Sequence, residues 1–325
     1  MSRRREFFQR TIDRAKATRG LALMGVCNVT PDSFSDGGLH FAPEAARARV
    51  DELLAQGADI IDVGGESTRP RAEPVPAQVQ IARVLDVVRY ASSLGACVSI
   101  DTTAPEVAAA SLDAGACAVN DVSCLLDGAL ARVIAASGAA LVLMHARGMQ
   151  KDMAGFSHYP DDAYGDVVRD VCAEWESAAE RARSAGVARD AIVMDPGFGF
   201  AKNARHSLEL LARLGEIVAA IGRPVAVGAS RKSFLAGVAV AGTGLEPENV
   251  PPAERLGASI AAALHAARAG VAMVRVHDVR ATRQAIDLER AMARWSSTSG
   301  SRSGAPGQGH GAPGRPGAAI GKEGA

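Results

Sequence analysis

Residues 96–145, ACVSIDTTAPEVAAASLDAGACAVNDVSCLLDGALARVIAASGAALVLMH, carry the pattern that decides the fold. Three short apolar runs, 96–101, 116–121 and 140–145, each close on polar side chains: Asp101, Asn120 with Asp121, and His145. Between them lie Ala- and Leu-rich stretches of helical period. The first opens on Pro105, a position where a missing N–H costs little. Near-continuous apolar runs suit strands buried on both faces, and helical crossovers are the short way to join parallel neighbours. The segment therefore predicts three parallel strands linked by two helices.

The same alternation extends in both directions. Runs at 21–28, 58–63, 191–195, 224–228 and 271–276 bring the strands to eight. Helices are expected to start near Pro43, Val75, Pro105, Ala129, Tyr164, His206, Pro252 and Val279. Eight strand–helix units in about 275 residues match a closed barrel. A doubly wound open sheet would also alternate, but with about six strands and a Gly-rich turn after the first. No G-x-G-x-x-G follows residues 21–28. The prediction is an α/β fold, a single (β/α)8 TIM barrel over residues 21–295. A basic N-terminal extension, 1–20, precedes it. Residues 296–325 contain one large apolar residue, Ile320, and are expected to form a flexible, disordered Gly/Pro/Ser-rich tail.

Composition narrows the function classes. The 325 residues carry 36 Lys+Arg and 36 Asp+Glu, but the balance is a cancellation. Residues 1–20 hold seven basic and two acidic groups and 296–325 three and one, so the body is acidic, 26 against 33. With 13 aromatic residues in all, it offers neither a basic groove nor a row of stacking platforms, and no nucleic-acid partner is expected. No apolar run reaches the ~18 residues of a membrane span, so no membrane partner is expected either. The basic N-terminus lacks the apolar core of a secretion signal, and Glu6 and Asp13 argue against a transit peptide. Five cysteines with no C-x-x-C pair read as free thiols in a reducing compartment, which points to the cytoplasm.

In a barrel of this kind the chemistry sits at the C-terminal strand ends. Those ends carry Asn28; Asp62 with Glu66 to Arg69; Asp101; Asn120 and Asp121; His145; Asp195; Ser230 to Lys232; and Arg275 with His277. Asp101, Asn120 and Asp195 suit a flat heterocycle with several N–H donors. Arg69, Lys232, Arg275 and His277 read as cations for phosphates, with Arg giving the bidentate fork. Asn28 offers a neutral oxygen for Mg2+, a hard ion that keeps several waters. The residues alone point to an enzyme acting on a phosphorylated or pyrophosphorylated heterocycle.

Longer motifs are more specific. MGVCNVTPDSFSDGG at 24–38 and GADIIDVGGESTRP at 57–70 closely resemble the two signature segments of the dihydropteroate synthase family. The resemblance continues through 99–102 (SIDT), 120–121 (ND), 143–145 (LMH), DPGFGF at 195–200, GASRKSF at 228–234 and RVHDV at 275–279. It implies a pterin-binding TIM barrel, usually a homodimer and a sulfonamide target. Such an enzyme joins 6-hydroxymethyl-7,8-dihydropterin pyrophosphate to p-aminobenzoate and releases pyrophosphate. It further implies that Asp101, Asn120, Asp195 and Lys232 line the pterin pocket, framed by Met144, Phe200 and Gly228. Asn28, Arg69, Arg275 and His277 match the pyrophosphate and Mg2+ group. Phe34, Thr68, Pro70 and Ser230 match the p-aminobenzoate walls. Asp36 joins Asp101, Lys232, Arg275 and His277 as a catalytic candidate.

Departures from the family pattern are Cys27, Arg71, the segment ARGMQKDM after His145, and Ala201 and Asn203 in DPGFGFAKN; none removes a matched polar group. Asp62, Glu66 and Asp121 are read as braces of the rim, Arg231 as orienting its loop, and His40, His158, His206 and His265 as surface or helix residues. No zinc spacing is present. Two rivals differ in what they need. A pterin-dependent methyltransferase has no use for NVTPDSF or the Arg/His pair. A non-catalytic pterin binder should have lost one or more of Asn28, Arg69, Lys232, Arg275 and His277.

Overall fold

The computed structural model describes residues 2–30, 43–66, 74–148, 159–239 and 250–299. Among them eight parallel strands follow the predicted runs: β1 (Ala22–Asn28), β2 (Ile60–Gly64), β3 (Cys97–Asp101), β4 (Ala118–Asp121), β5 (Ala140–Met144), β6 (Ile192–Asp195), β7 (Ala226–Val227) and β8 (Met273–Val276). Their order is β6-β5-β4-β3-β2-β1-β8-β7, and an isolated parallel bridge from Met194 to Val225 joins β6 to the β7 end. The ring is thus the expected (β/α)8 barrel. β7 is only two residues long, between Pro224 and Gly228.

The helices are α1 (Arg3–Arg19), α2 (Pro43–Gln56), α3 (Ala77–Ser93), α4 (Pro105–Asp113), α5 (Gly128–Ser137), α6 (Val167–Ser184), α7 (Ala204–Ala212), α8 (Leu214–Ile221), α9 (Leu256–Arg268) and α10 (Val279–Ser299). Local chemistry places their starts. Asp127 caps α5 by accepting from Ala129 N–H, and Asp166 caps α6 by accepting from Arg169 N–H, two residues after the expected start at Tyr164. The single helix expected from His206 is two, because Arg213 leaves the helical region. Asn203 caps α7 in a reciprocal box with His206, so that histidine has a structural role.

Alternation sorts each strand. Residues 61, 63, 98, 100, 119 and 141 pack outward under the helices, whereas Ala22, Met24, Ile60, Cys97, Ala118, Ala140, Val142, Val193, Ala226 and Met273 form a separate core inside the ring. Phe8, Ile12 and Ala15 of α1 belong to that inner core. The basic N-terminal extension is therefore a 17-residue helix packed on the barrel's interior residues. Arg4 donates to the carbonyls of Ser137 and Leu112 at 3.0 and 3.1 Å, and Arg19 pairs with Asp59 at 2.5 Å.

The compact unit is Met1–Asp287; the described part of the second unit, Leu288–Ala325, is the end of α10, which reaches Ser299. The tail expected to be disordered otherwise lies outside the described residues. No described helix is long and apolar enough to cross a membrane.

Candidate active site

Strand register brings the predicted pocket residues to one end of the ring. Gly64 pairs with Asp101, Asp101 with Asn120, and Met144 with Asp195. Asp101, Asn120 and Asp195 are each 4–7% exposed, so they are buried polar groups that need partners. Asp195 Oδ1 accepts from Gly197 N–H at 2.7 Å. A Cβ on Gly228 would lie 4.0 Å from Asp195 Oδ2 and 3.7 Å from Arg275 Cβ, so a larger side chain there would narrow the space between them. Met144, Phe200 and Val122 form a small apolar cluster on the same side.

Cations complete this end of the pocket. Lys232 Nζ donates to Phe198 O at 2.6 Å and stands 4.7 Å from the centre of the Phe200 ring. Arg275 donates Nε to Asp62 Oδ2 at 2.6 Å and Nη2 to Asp101 Oδ2 at 2.8 Å. His277 stands beside Ser230, with Nδ1 3.1 Å from the hydroxyl and its N–H donating to it at 3.2 Å. Arg231 behaves as expected of a loop brace. It takes φ +62°, pairs in bidentate fashion with Asp278 at 2.5 and 2.9 Å, and donates its N–H to Ser259.

Burial sets the charge states. It pushes the Asp101 carboxyl up to about 7, with Arg275 opposing and Asp62 adding to the rise. Asp195 is raised by burial too, against the pull of Lys232, and Lys232 is lowered by burial to about 8. His277 is lowered to about 3 by burial, with Arg275 and Arg231 adding repulsion. Burial and the two neighbouring guanidinium groups therefore favour the neutral imidazole of His277 in the ligand-free site.

One residue of the region escaped the sequence reading. Lys202, inside DPGFGFAKN, is fully buried and bonds to His145 Nδ1 at 2.8 Å and Phe200 O at 2.9 Å. His145 also meets Glu174 at 3.0 Å and is lowered to about 4 by burial, so it tethers the 195–203 loop behind the pocket instead of facing it. Asp62, read as a brace of the rim, pairs with Arg275 as described above and is fully buried. Glu66 and Asp121 are braces as expected: Glu66 accepts from Val75 N–H and Gln80, and Asp121 from Ser123 and Leu125.

Phe34, Asp36, Thr68, Arg69 and Pro70 lie outside the described residues. Of the p-aminobenzoate walls, the described set holds Ser230 alone. For Mg2+, no cluster of three or more His, Cys, Asp and Glu occurs among the described residues. Asn28 is half-buried, and its Oδ1 lies 3.6 Å from where a Cβ on Gly64 would sit, at the rim beside Asp101. One neutral oxygen fits an ion that takes its remaining ligands from phosphate and water.

A model of the pterin binding enzyme family matches residues 24–277. The chain is 42% identical over 274 residues to the dihydropteroate synthase of Mycobacterium leprae, covering 84% of this chain and 93% of that protein. It is 39% identical over 270 residues to the Escherichia coli dihydropteroate synthase, covering 83% and 90%. The chain belongs to the dihydropteroate synthase family. Solved structures of dihydropteroate synthases agree with the barrel. That of Xanthomonas albilineans with 4-aminobenzoic acid matches at TM-score 0.73 and 37% identity over 84% of this chain and 93% of that one. That of Burkholderia cenocepacia complexed with 7,8-dihydropteroate matches at 0.73 and 38% over 86% and 93%. For a dihydropteroate synthase, carboxylates and an amide below two cations is the arrangement a donor-rich heterocycle bearing an anionic leaving group requires.

Proposed function

We propose that the chain condenses 6-hydroxymethyl-7,8-dihydropterin pyrophosphate with p-aminobenzoate, giving 7,8-dihydropteroate and pyrophosphate. The observation that carries this reading is the convergence of Asp101, Asn120, Asp195, Lys232 and Arg275 at one barrel end, in a member of this family.

Asp195 and Asn120 read the ring's N–H edge, and Lys232 donates to its acceptor side. Phe200 and Met144 cover its face. The bond that breaks joins the pterin methylene carbon to oxygen, and its electron pair leaves with pyrophosphate. The dihydropterin ring delocalises the resulting positive charge, which Asp101, as carboxylate, stabilises from below. Arg275 stabilises the negative charge gathering on the leaving group. The aryl amine then supplies the electron pair for the new C–N bond and loses a proton to solvent or to the departing anion. Positioning and fixed charges do most of this; no strong base is needed.

Asn28 would hold Mg2+ together with pyrophosphate, and when bound the ion neutralises leaving-group charge. His277, neutral before the anion arrives, donates or accepts a hydrogen bond at the same end. Phe34, Thr68, Arg69, Pro70 and Ser230 are proposed to hold p-aminobenzoate and the anion, with Asp36 assisting. The test is direct: the purified chain with both substrates and Mg2+ should form dihydropteroate and pyrophosphate in equal amounts. A folded chain that binds pterin but forms neither product would overturn the assignment.

A further inference from the structure

Asp62 is not at the end of its strand. It lies two residues before Gly64, pairs in register with Ser99, and so sits one inward step deeper than Asp101, which pairs with Gly64. It is fully buried. Its Oδ2 accepts from two pocket residues at once, Arg275 Nε at 2.6 Å and Asn120 Nδ2 at 3.1 Å. A carboxylate only accepts, so the Asn120 amide must present Nδ2 to Asp62 and turn Oδ1 away from it. Asp101 takes Arg275 Nη2. The Nε/Nη2 edge of the guanidinium is thereby divided between two carboxylates, and Nη1 makes no hydrogen bond to any described residue.

Stability is a poor account of this arrangement. Oδ1 of Asp62 and Oδ1 of Asp101 are both buried with no hydrogen-bond partner among the described residues. Two buried carboxylates share one guanidinium, and such groups are commonly replaced by apolar residues without loss of stability. A charge kept against that cost, in contact with both the amide and the guanidinium of the pocket, calls for another role.

We infer that Asp62 is a positioning residue for the transfer. From beneath the pocket it fixes the donor–acceptor sense of Asn120 toward the pterin. It also fixes the aim of Arg275, leaving Nη1 for the anion, and it touches neither substrate. This rests on the site reading given under Proposed function. The groups facing Asp101 are Arg275 on β8, Asp62 on β2, Asp121 on β4, Glu66 after β2 and Lys232 after β7. Removing the Asp62 charge takes away one of the influences that raise Asp101.

The test is Asp62→Asn in the full chain. We expect kcat/KM for the pterin pyrophosphate to fall about 10- to 100-fold, the scale of one lost bond to a charged group, with little change in the KM for p-aminobenzoate. By calorimetry, 6-hydroxymethylpterin and pyrophosphate should each bind more weakly. The acid limb of the kcat/KM profile should move to lower pH. In Asp62→Asn/Arg275→Ala, pyrophosphate should bind no more weakly than to Arg275→Ala alone, because the effect passes through the guanidinium. Additive losses, or a lower melting temperature with unchanged binding and pH profile, would make Asp62 a brace of the barrel. If Asp62→Asn does not fold, Asp62→Leu removes the acceptor and the buried charge together; a folded Leu variant of full activity overturns the proposal. A wild-type chain that forms no dihydropteroate sinks the proposed reaction instead, and the two calorimetric arms still decide on Asp62.

Discussion

At the scale of the residue, the site works by holding charges where water would not leave them bare. Asp101 is pushed up to about 7 chiefly by burial, so the folded chain holds its proton more tightly than the unfolded chain does. The stability it contributes is full below its unfolded value of about 4 and is lost as pH rises through about 7. Activity runs the other way, since only the carboxylate stabilises a positive pterin. Asp101→Asn should therefore melt higher than wild type at pH 8 while turnover drops about 100-fold. Thermal melts and steady-state rates across pH 5 to 9 check both halves; equal melting temperatures at pH 8 would mean the buried charge carries no cost. Asp195 poses a different question. Asp195→Asn keeps the shape but sets an NH2 against a ring N–H, and pterin binding should weaken by about 2–4 kcal/mol, read by calorimetry on the folded variant. Unchanged affinity would remove Asp195 from the pocket.

Elements decide whether those residues meet. The 195–203 loop turns at Gly197, where φ is +69° and a Cβ would sit 2.1 Å from the carbonyl oxygen of His145. That close approach and left-handed backbone admit only glycine. Gly197→Ala should cost more than about 2 kcal/mol in denaturant unfolding and should weaken pterin binding as well, because Gly197 N–H holds Asp195 Oδ1. A variant of wild-type stability would show that the loop has an alternative path. The sequence made these elements readable wherever a strand was a continuous apolar run: seven strands fell inside the predicted runs, and β2 ran one residue beyond its own, to Gly64. Less was readable where burial depth mattered. Asp62 and Asp101 are both acidic residues of apolar runs, and only the register places one a step beneath the other. Nothing in RVHDV tells that His277 is half-buried near Arg275 and Arg231, whose charges oppose its own. Lys202 follows the DPGFGF motif, yet a lysine after a Gly-rich turn gives no sign of being buried against His145.

At the scale of the whole barrel, function and closure occupy opposite ends. The pocket residues lie at or beyond the C-terminal ends of the strands, whereas α1 covers interior residues near their starts, such as Ala22, Ile60, Cys97 and Cys117. The N-terminal segment is basic in composition, but the i, i+4, i+7 spacing of Phe8, Ile12 and Ala15 makes an apolar helix face among those charges. Phe8 and Ile12 are 2% and 1% exposed, and burying two such side chains contributes roughly 3–6 kcal/mol. The ion pair of Arg19 with Asp59 ties the helix to the segment that enters β2, and Asp59 also accepts from Leu23 N–H in β1. Removing residues 2–20 should therefore uncover the inner core from below and lower the melting temperature by about 5–15 °C. The pocket, assembled from the other strand ends, should keep its pterin affinity in whatever fraction stays folded. Phe8→Ala/Ile12→Ala in the full chain provides the same comparison without truncation. Loss of pterin affinity at a temperature where circular dichroism shows the barrel intact would mean that α1 also shapes the pocket through the barrel's interior, and that the two ends are coupled.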